Sequence, residues 1–246
     1  MKAVAVAPRI LILAWLIACG SQHARAAAPG PPVALVSRNG RYRVSYRGLT
    51  NPQEAAKYVN RVEALIPALQ RTLGLPSSYR SYLVEFGQEP PSTYHGDGRI
   101  TIAKGLKLEE HVYGGLFHET AHGFLAPYGS SRGNWIPEYC AIILQAEALR
   151  NVPGDKKAAE WVKAIAGQGG DDADCKRFWA VYERFGFEPF RRVYVEMARQ
   201  KKPIIKNAAG WYAAWAMMGV PLAELEKPQP VKDDRKGAKS PRAKRR

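Results

Sequence analysis

The chain has few cysteines and no long apolar segment. Only three of its 246 residues are cysteine, so at most one internal disulfide can form. Cys19 lies in an N-terminal segment, which leaves Cys140 and Cys175 as the candidate pair; a bridge in an oxidising compartment and two buried thiols both remain open. The apolar run at residues 10–19 is too short to cross a bilayer, and no later run is long enough.

Acidic residues are also scarce, with 22 Asp and Glu against 37 Lys and Arg and a net charge of +15. Residues 227–246 hold nine basic and two acidic residues, and residues 1–28 hold three basic ones, so the remainder carries only +5. The tail is expected to be a disordered, solvated segment; adhesion to an anionic envelope surface is the alternative. No nucleic-acid-binding motif occurs, and nucleic acid is not expected as a partner.

Residues 1–28 have the pattern of a signal peptide. Lys2 and Arg9 precede the apolar run, and small residues suited to cleavage follow it. A lipobox-like sequence ending at Cys19 offers a second route, which would leave a lipidated cysteine. We therefore expect an exported bacterial protein that is periplasmic, secreted or anchored to the envelope, with residues 29–226 forming one domain.

Local patterns predict an α+β fold. Strands are expected at residues 33–37, 42–46, 82–86 and 99–103, the first two joined by a tight turn at Asn39–Gly40. Apolar residues at helical spacing predict a helix that begins after Asn51, is kinked at Pro67 and ends at Gly74. Further helical patterns follow, so we expect a small mixed sheet with one helix, then a helix at residues 108–124, then a mainly helical C-terminal lobe.

The helix predicted at residues 108–124 contains the sequence His-Glu-Thr-Ala-His, an H-E-x-x-H motif. Residues four apart lie on one face of a helix, so His118 and His122 can bind one metal ion. Two imidazoles suit zinc, which in catalytic sites takes three protein ligands and one water. Glu119 lies on the flank of the same face, where it could take a proton from that water as a general base.

A third ligand is expected downstream, in the sequence Trp-Ile-Pro-Glu at residues 135–138. Pro137 suits the first position of a helix, and Glu138 would then lie in the first turn, where the helix dipole favours a carboxylate. The intervening segment is rich in Gly, Ser and Pro, so it can fold this second helix back onto the first.

These two segments resemble those of gluzincin metallopeptidases. The resemblance implies one zinc ion held by His118, His122 and Glu138, with Glu119 as the base and a peptide or protein as the substrate. The thermolysin branch carries an acidic residue four positions after the ligand glutamate, where this chain has Ile142. The resemblance also implies that the strand before the helix is a sheet edge that binds extended substrate, whereas an ordinary core strand is the alternative; its residues are Arg99, Ile100, Thr101, Ile102 and Ala103.

Some residues and the overall activity have more than one interpretation. His111 lies seven residues before His118, so in a continuous helix it would share the metal-binding face and contact substrate; a packing or surface histidine is the alternative. An oxyanion-stabilising residue is not assigned among the candidates Tyr113, Tyr139, Tyr182 and Tyr212. Two functions therefore stand: an exported zinc endopeptidase, or a non-enzymatic envelope protein that retains the peptidase fold and metal site.

Overall fold

The structure is a computed structural model. It describes residues 35–46, 51–77, 79–89, 91–108, 111–128, 136–166, 173–200, 205 and 207–223. The predicted signal peptide, the basic tail and Trp135 lie outside these ranges.

Five strands form one mixed sheet in the N-terminal part of the chain. In order along the chain they are β1 (Leu35–Val36), β2 (Tyr42–Tyr46), β3 (Tyr82–Gln88), β4 (Thr93–Tyr94) and β5 (Arg99–Ala103). Across the sheet the order is β1-β2-β3-β5-β4. The strands β2, β3 and β5 run parallel to one another, whereas β1 and β4 pair antiparallel at the two edges. The predicted mixed sheet is confirmed.

A buried carboxylate joins the β1–β2 hairpin to the helix that follows it. Gly40 adopts a φ of +73°, the left-handed conformation that the tight turn requires. Glu63 is 3% exposed, and its carboxylate accepts hydrogen bonds from the backbone N–H of Asn39 at 2.8 Å and of Arg41 at 2.9 Å. The Ser37 hydroxyl donates to the same carboxylate. The hairpin is therefore pinned by a side chain that lies more than 20 residues away in sequence.

Two helices, α1 (Pro52–Glu63) and α2 (Ile66–Leu73), connect β2 to β3. The side chain of Asn51 caps α1, as predicted, and Gly74 ends α2 with a φ of +72°. The prediction of one kinked helix is wrong, because residues 64–65 separate two helices. In one continuous helix, Pro67 would lack the N–H for its hydrogen bond and its ring would collide with the carbonyl of the fourth residue before it. The helix is therefore interrupted just before Pro67.

The rest of the described chain is helical, which confirms the predicted mainly helical C-terminal part. Its α-helices are α3 (Gly115–Leu125), α4 (Ile136–Arg150), α5 (Lys156–Ala166), α6 (Ala173–Phe185), α7 (Glu188–Gln200) and α8 (Ala208–Met217), with a 3₁₀ turn at Ala126–Tyr128. Within the described ranges, no helix is long and apolar enough to cross a membrane.

One hydrophobic cluster runs through both parts of the molecule, from Tyr42 in β2 to Trp215 in α8. Cys140 belongs to it as a free, buried thiol. Burial raises the pKa of Cys140 to about 12, against the opposing effect of a hydrogen bond with Tyr194. Of the two open interpretations of Cys140, the structure shows the buried thiol; the side chain of Cys175 lies outside the described part.

Candidate metal centre

The helix α3, which carries the H-E-x-x-H motif, begins later than predicted. Residues 111–114 form a turn and the helix starts at Gly115, whose φ of +38° favours glycine. A Cβ at this position would also lie 2.9 Å from the Tyr58 hydroxyl. That hydroxyl accepts a hydrogen bond from the Leu116 N–H at 3.0 Å, so α1 supplies the cap that Gly114 has no side chain to provide.

His111 is consequently not on the metal-binding face of α3. It lies in the turn before the helix, and its ring packs edge-on against Trp161 of α5 with the ring centroids 6.3 Å apart. Its backbone carbonyl accepts a hydrogen bond from the Tyr58 hydroxyl at 3.4 Å. The prediction of a shared face with His118 is wrong, because it assumed a continuous helix through Gly114 and Gly115.

The three predicted metal ligands converge. Nε2 of His118 lies 3.0 Å from Oε1 of Glu138, and Nε2 of His122 lies 3.1 Å from Oε2 of Glu138. The two Nε2 atoms are themselves 3.1 Å apart. In a tetrahedral zinc site with bonds of about 2.0–2.1 Å, neighbouring ligand atoms are roughly 3.3 Å apart. The structure therefore brings together a group that could hold a metal ion, with one ligand atom from each residue and all three within 4.8 Å of one another.

This group is distinctive within the part of the chain that the structure describes, where no other three His, Cys, Asp or Glu residues come together in this way. Burial lowers the pKa of His118, but the adjacent Glu138 carboxylate outweighs it and raises that pKa to about 9. Burial raises the pKa of Glu138, yet the two imidazoles hold it well below its usual range. The Glu138 carboxylate therefore favours a positive charge within the ligand group, and a bound metal cation would supply that charge.

The cluster is closed on one side and open on the other. The side chain of His118 is only 6% exposed, whereas those of His122 and Glu138 are 16% and 23% exposed. Solvent therefore reaches the ligand group from the side of His122 and Glu138. Solvent is the source of the water that a catalytic zinc site takes as a further ligand.

Glu119 lies next to this group without belonging to it. It is 3% exposed, and the backbone of Tyr94 in β4 lies near its carboxylate. Burial raises the pKa of Glu119 and Glu138 adds to that effect, while the His118 and His122 imidazoles oppose it, with a net rise. A carboxylate with a raised pKa is a better proton acceptor, which is a property that a general base requires.

The five residues of β5 do not form a free edge, so that part of the prediction is wrong. The strand β4 covers β5, with Thr93 opposite Thr101 and Tyr94 opposite Ile100. Ile100, Ile102 and Ala103 are buried, and Arg99 forms an exposed ion pair with Asp97. A strand of two residues carries no detectable periodicity, and this is why sequence reasoning missed β4 and took its neighbour for the edge.

Gln145 is a site residue that sequence reasoning missed. It lies in α4, it is 2% exposed, and its Oε1 is 3.1 Å from Nδ1 of His118. Its Nε2 donates a hydrogen bond to the backbone carbonyl of Tyr113. The available signal was a single polar residue in an otherwise apolar run, seven positions after Glu138 and hence on nearly the same helical face.

Two of the candidate oxyanion tyrosines are engaged elsewhere. The hydroxyl of Tyr113 donates to Asp155, and the hydroxyl of Tyr182 donates to Glu147 at 2.9 Å. The other two also have packing roles: Tyr139 is buried, and the ring of Tyr212 lies 4.7 Å beneath the guanidinium of Arg177.

Comparison with known proteins returns no relative for this arrangement. No known protein family matches the chain, and neither a curated protein nor a solved structure does so.

Proposed function

We propose that the protein is an exported zinc-dependent metallopeptidase, specifically an endopeptidase of the gluzincin type. The observation that supports this most strongly is the convergence of His118, His122 and Glu138 beside the buried carboxylate of Glu119. Three ligands with an adjacent base form a hydrolytic arrangement. A site that only stabilised the fold would have no use for the base.

Zinc is the metal that this donor set fits best. Two imidazole nitrogens and one carboxylate are the ligand set of several catalytic zinc sites, and hard cations such as Mg²⁺ prefer oxygen ligands. When bound, zinc acidifies a coordinated water and polarises the carbonyl of the substrate.

The chain itself would supply the proton transfers. Glu119 follows His118 directly in the chain, and its buried carboxylate is near enough to both imidazoles for them to oppose the rise that burial causes in its pKa. It would accept a proton from the attacking water and then donate that proton to the leaving amine. Both transfers require a carboxylate that can exist in either protonation state, and the raised pKa of Glu119 favours this.

The strand β4 is the sheet edge that would bind an extended peptide. The N–H of His95 donates to the Arg99 carbonyl at 2.9 Å, so Tyr94 occupies the alternate position of this antiparallel pair. Its N–H and carbonyl therefore point away from β5. The Tyr94 carbonyl on the same side can accept a hydrogen bond from a substrate N–H, as in strand addition to a sheet edge.

Replacement of the base by its amide tests the chemistry. Glu119→Gln keeps the size of the side chain but removes the proton acceptor, so kcat should fall on the order of 100- to 10,000-fold with little change in KM. The measurement is steady-state cleavage of one peptide, first identified by library screening, by wild type and variant that are both confirmed to be zinc-loaded. Equal kcat values would remove Glu119 from the mechanism.

A second candidate is a non-enzymatic envelope protein that retains the fold and the metal. It is favoured by the engagement of Tyr113 and Tyr182 with Asp155 and Glu147, which leaves neither hydroxyl for a developing oxyanion. The test is a broad peptide library, screened with zinc-loaded wild type and again after a chelator is added. If no peptide is cleaved in either screen, this explanation is the better one.

Export is part of the proposal. The protein should occur in its native host as a mature chain that begins near Ala27 or Pro29, or as one that begins at a lipidated Cys19, because residues 1–28 have the pattern of a signal peptide. Mass spectrometry of the mature N-terminus distinguishes these forms. Detection of an intact Met1 on the protein from its host would contradict export. The basic tail or a lipidated Cys19 would hold the protein at the anionic envelope surface.

A further inference from the structure

The amide of Gln145 has only one workable orientation. Its nitrogen faces the backbone carbonyl of Tyr113, and its oxygen faces Nδ1 of His118 at 3.1 Å. A carbonyl oxygen can only accept a hydrogen bond, so the NH₂ group of Gln145 must be the one that points to Tyr113. A flipped amide would place two carbonyl oxygens against each other in a buried site.

This orientation decides which nitrogen of His118 carries the proton. Because Oε1 of Gln145 can only accept, Nδ1 of His118 must be the protonated nitrogen. In the neutral imidazole the lone pair is then on Nε2, which is the atom that lies 3.0 Å from Glu138 and 3.1 Å from His122. The hydrogen bond therefore directs the metal-binding lone pair of His118 into the ligand group.

The support for Gln145 extends outward from the site. The backbone carbonyl of Tyr113 accepts the hydrogen bond from the NH₂ group of Gln145, and the hydroxyl of Tyr113 donates a hydrogen bond to Asp155. Asp155 in turn accepts a hydrogen bond from the Ala158 N–H at 3.1 Å, at the start of α5. The position of the Tyr113 carbonyl is thus fixed by a neighbouring helix.

We propose that Gln145 is a positioning residue that holds His118 in the Nδ1–H form and turns its Nε2 towards the metal. The helix α4 would then have two functions, because it provides Glu138 as a ligand and, about two turns later, orients a ligand that belongs to α3. This inference rests on the proposed metal site, but it does not depend on whether the protein cleaves peptides.

Gln145→Met keeps a similar side-chain length and removes both hydrogen bonds of Gln145, the one with His118 and the one to the Tyr113 carbonyl. The zinc dissociation constant, measured by competition with a chelator, should rise about 10- to 100-fold, as is typical when the partner of a ligating histidine is lost. The visible absorption bands of the Co²⁺-loaded protein should also change, because they report the geometry around the metal. Unchanged affinity and an unchanged Co²⁺ spectrum would overturn the inference.

Tyr182→Phe is the matched control. It also removes one hydrogen bond from a buried side chain to α4, but that bond is made to Glu147 and not to a histidine. It should lower stability, though less than Gln145→Met because only one hydrogen bond is lost, while the zinc affinity stays within about twofold of wild type because the lost bond involves no metal ligand. An equal loss of zinc affinity in both variants would reduce Gln145 to a structural role.

A measurement on the wild type keeps the inference testable even if Gln145→Met does not fold. Long-range ¹H–¹⁵N correlation spectra of the zinc-loaded protein, with assigned histidine rings, show which nitrogen carries the proton. His118 should be protonated at Nδ1 and bound to the metal through Nε2, whereas the reverse arrangement would overturn the inference. Wild type that binds no zinc would overturn the proposed function and the inference together. Zinc-loaded wild type without peptidase activity would overturn only the function.

Discussion

Individual residues at the site fall into distinct chemical roles. His118, His122 and Glu138 each offer a ligand atom within 4.8 Å of the other two, and the buried Glu119 lies beside them without belonging to the group. Two carboxylates in similar surroundings thus have opposite pKa shifts. The pKa of Glu138 is lowered because it contacts both imidazoles, and that of Glu119 is raised because burial dominates.

Loss of Glu138 should abolish tight zinc binding. Glu138→Ala leaves only two imidazoles, and a catalytic zinc site requires three protein ligands, so bound zinc measured by elemental analysis after dialysis should fall well below one ion per chain. Glu147→Ala is the matched control, because it removes another glutamate of the same helix, one whose carboxylate accepts a hydrogen bond from Tyr182. One zinc ion per chain in the Glu138→Ala protein would show that Glu138 is not a ligand.

Residue roles were predictable where one helix fixes the spacing. The proximity of His118 and His122 follows from their four-residue spacing, whereas Glu138 was expected beside them because its segment resembles that of gluzincins. Gln145 was not predictable, because its partner His118 lies on another helix and nothing in an apolar run identifies it. The prediction that His111 shares the metal-binding face was wrong, because the helix begins at Gly115, which has a positive φ, and His111 lies in the turn before it.

At the scale of elements, close packing of α3 against the sheet sets where the ligands lie. Gly123 directly follows His122, and a Cβ there would lie 2.6 Å from the ring of Tyr82 in β3. Tyr82 is 1% exposed, so its ring has little freedom to move. The glycine is therefore required by the separation between helix and sheet, and not by an unusual backbone conformation.

Gly123→Ala should destabilise the protein. Overpacking typically costs about 1–3 kcal/mol, and this should exceed the gain of about 1 kcal/mol that alanine brings to a helix interior. Denaturant unfolding of the metal-free protein measures the change. Tyr82→Leu should relieve the clash, so the double variant should lose less stability than the sum of the two single variants. A Gly123→Ala protein as stable as wild type would show that the helix can move away from the sheet.

Elements with strong local signals were predicted well. The Asn39–Gly40 turn and the Asn51 cap follow from neighbouring residues, and so does the mainly helical character of the C-terminal part, although α5 was not predicted individually. The break between α1 and α2 was underestimated as a kink. The strand β4 was missed because two residues, Thr93 and Tyr94, are too few to show a period, and its pairing with β5 is visible only in three dimensions.

For the whole molecule, the α+β class was predictable from the change in period along the chain, but the strand order was not. Pairing of β5 between β3 and β4 depends on contacts between segments, and no local pattern encodes it. The same applies to the three buried contacts that join Glu63 to the β1–β2 hairpin. The metal group is the exception, because two short motifs located a site shared by two helices.

Because the site is shared by two helices, bound zinc should link them and stabilise the folded state. Two ligands come from α3 and one from α4, so a bound ion would couple the helix that lies against the sheet to the helical part of the chain. At a free zinc concentration about 1,000 times the dissociation constant, binding should stabilise the folded state by about 4 kcal/mol. For a chain of this size that corresponds to a rise in Tm on the order of 10 °C. The measurement is thermal unfolding with zinc and after its removal by a chelator.

Two comparisons make the zinc result specific. Mg²⁺ at the same concentration should leave Tm nearly unchanged, because imidazole ligands favour zinc over a cation that prefers oxygen. The Glu138→Ala protein should show no rise in Tm with zinc, since its remaining ligands both lie on α3 and cannot join that helix to α4. A full rise in this variant would mean that zinc stabilises the protein through a different site. Stabilisation by linking α3 to α4 would then be ruled out.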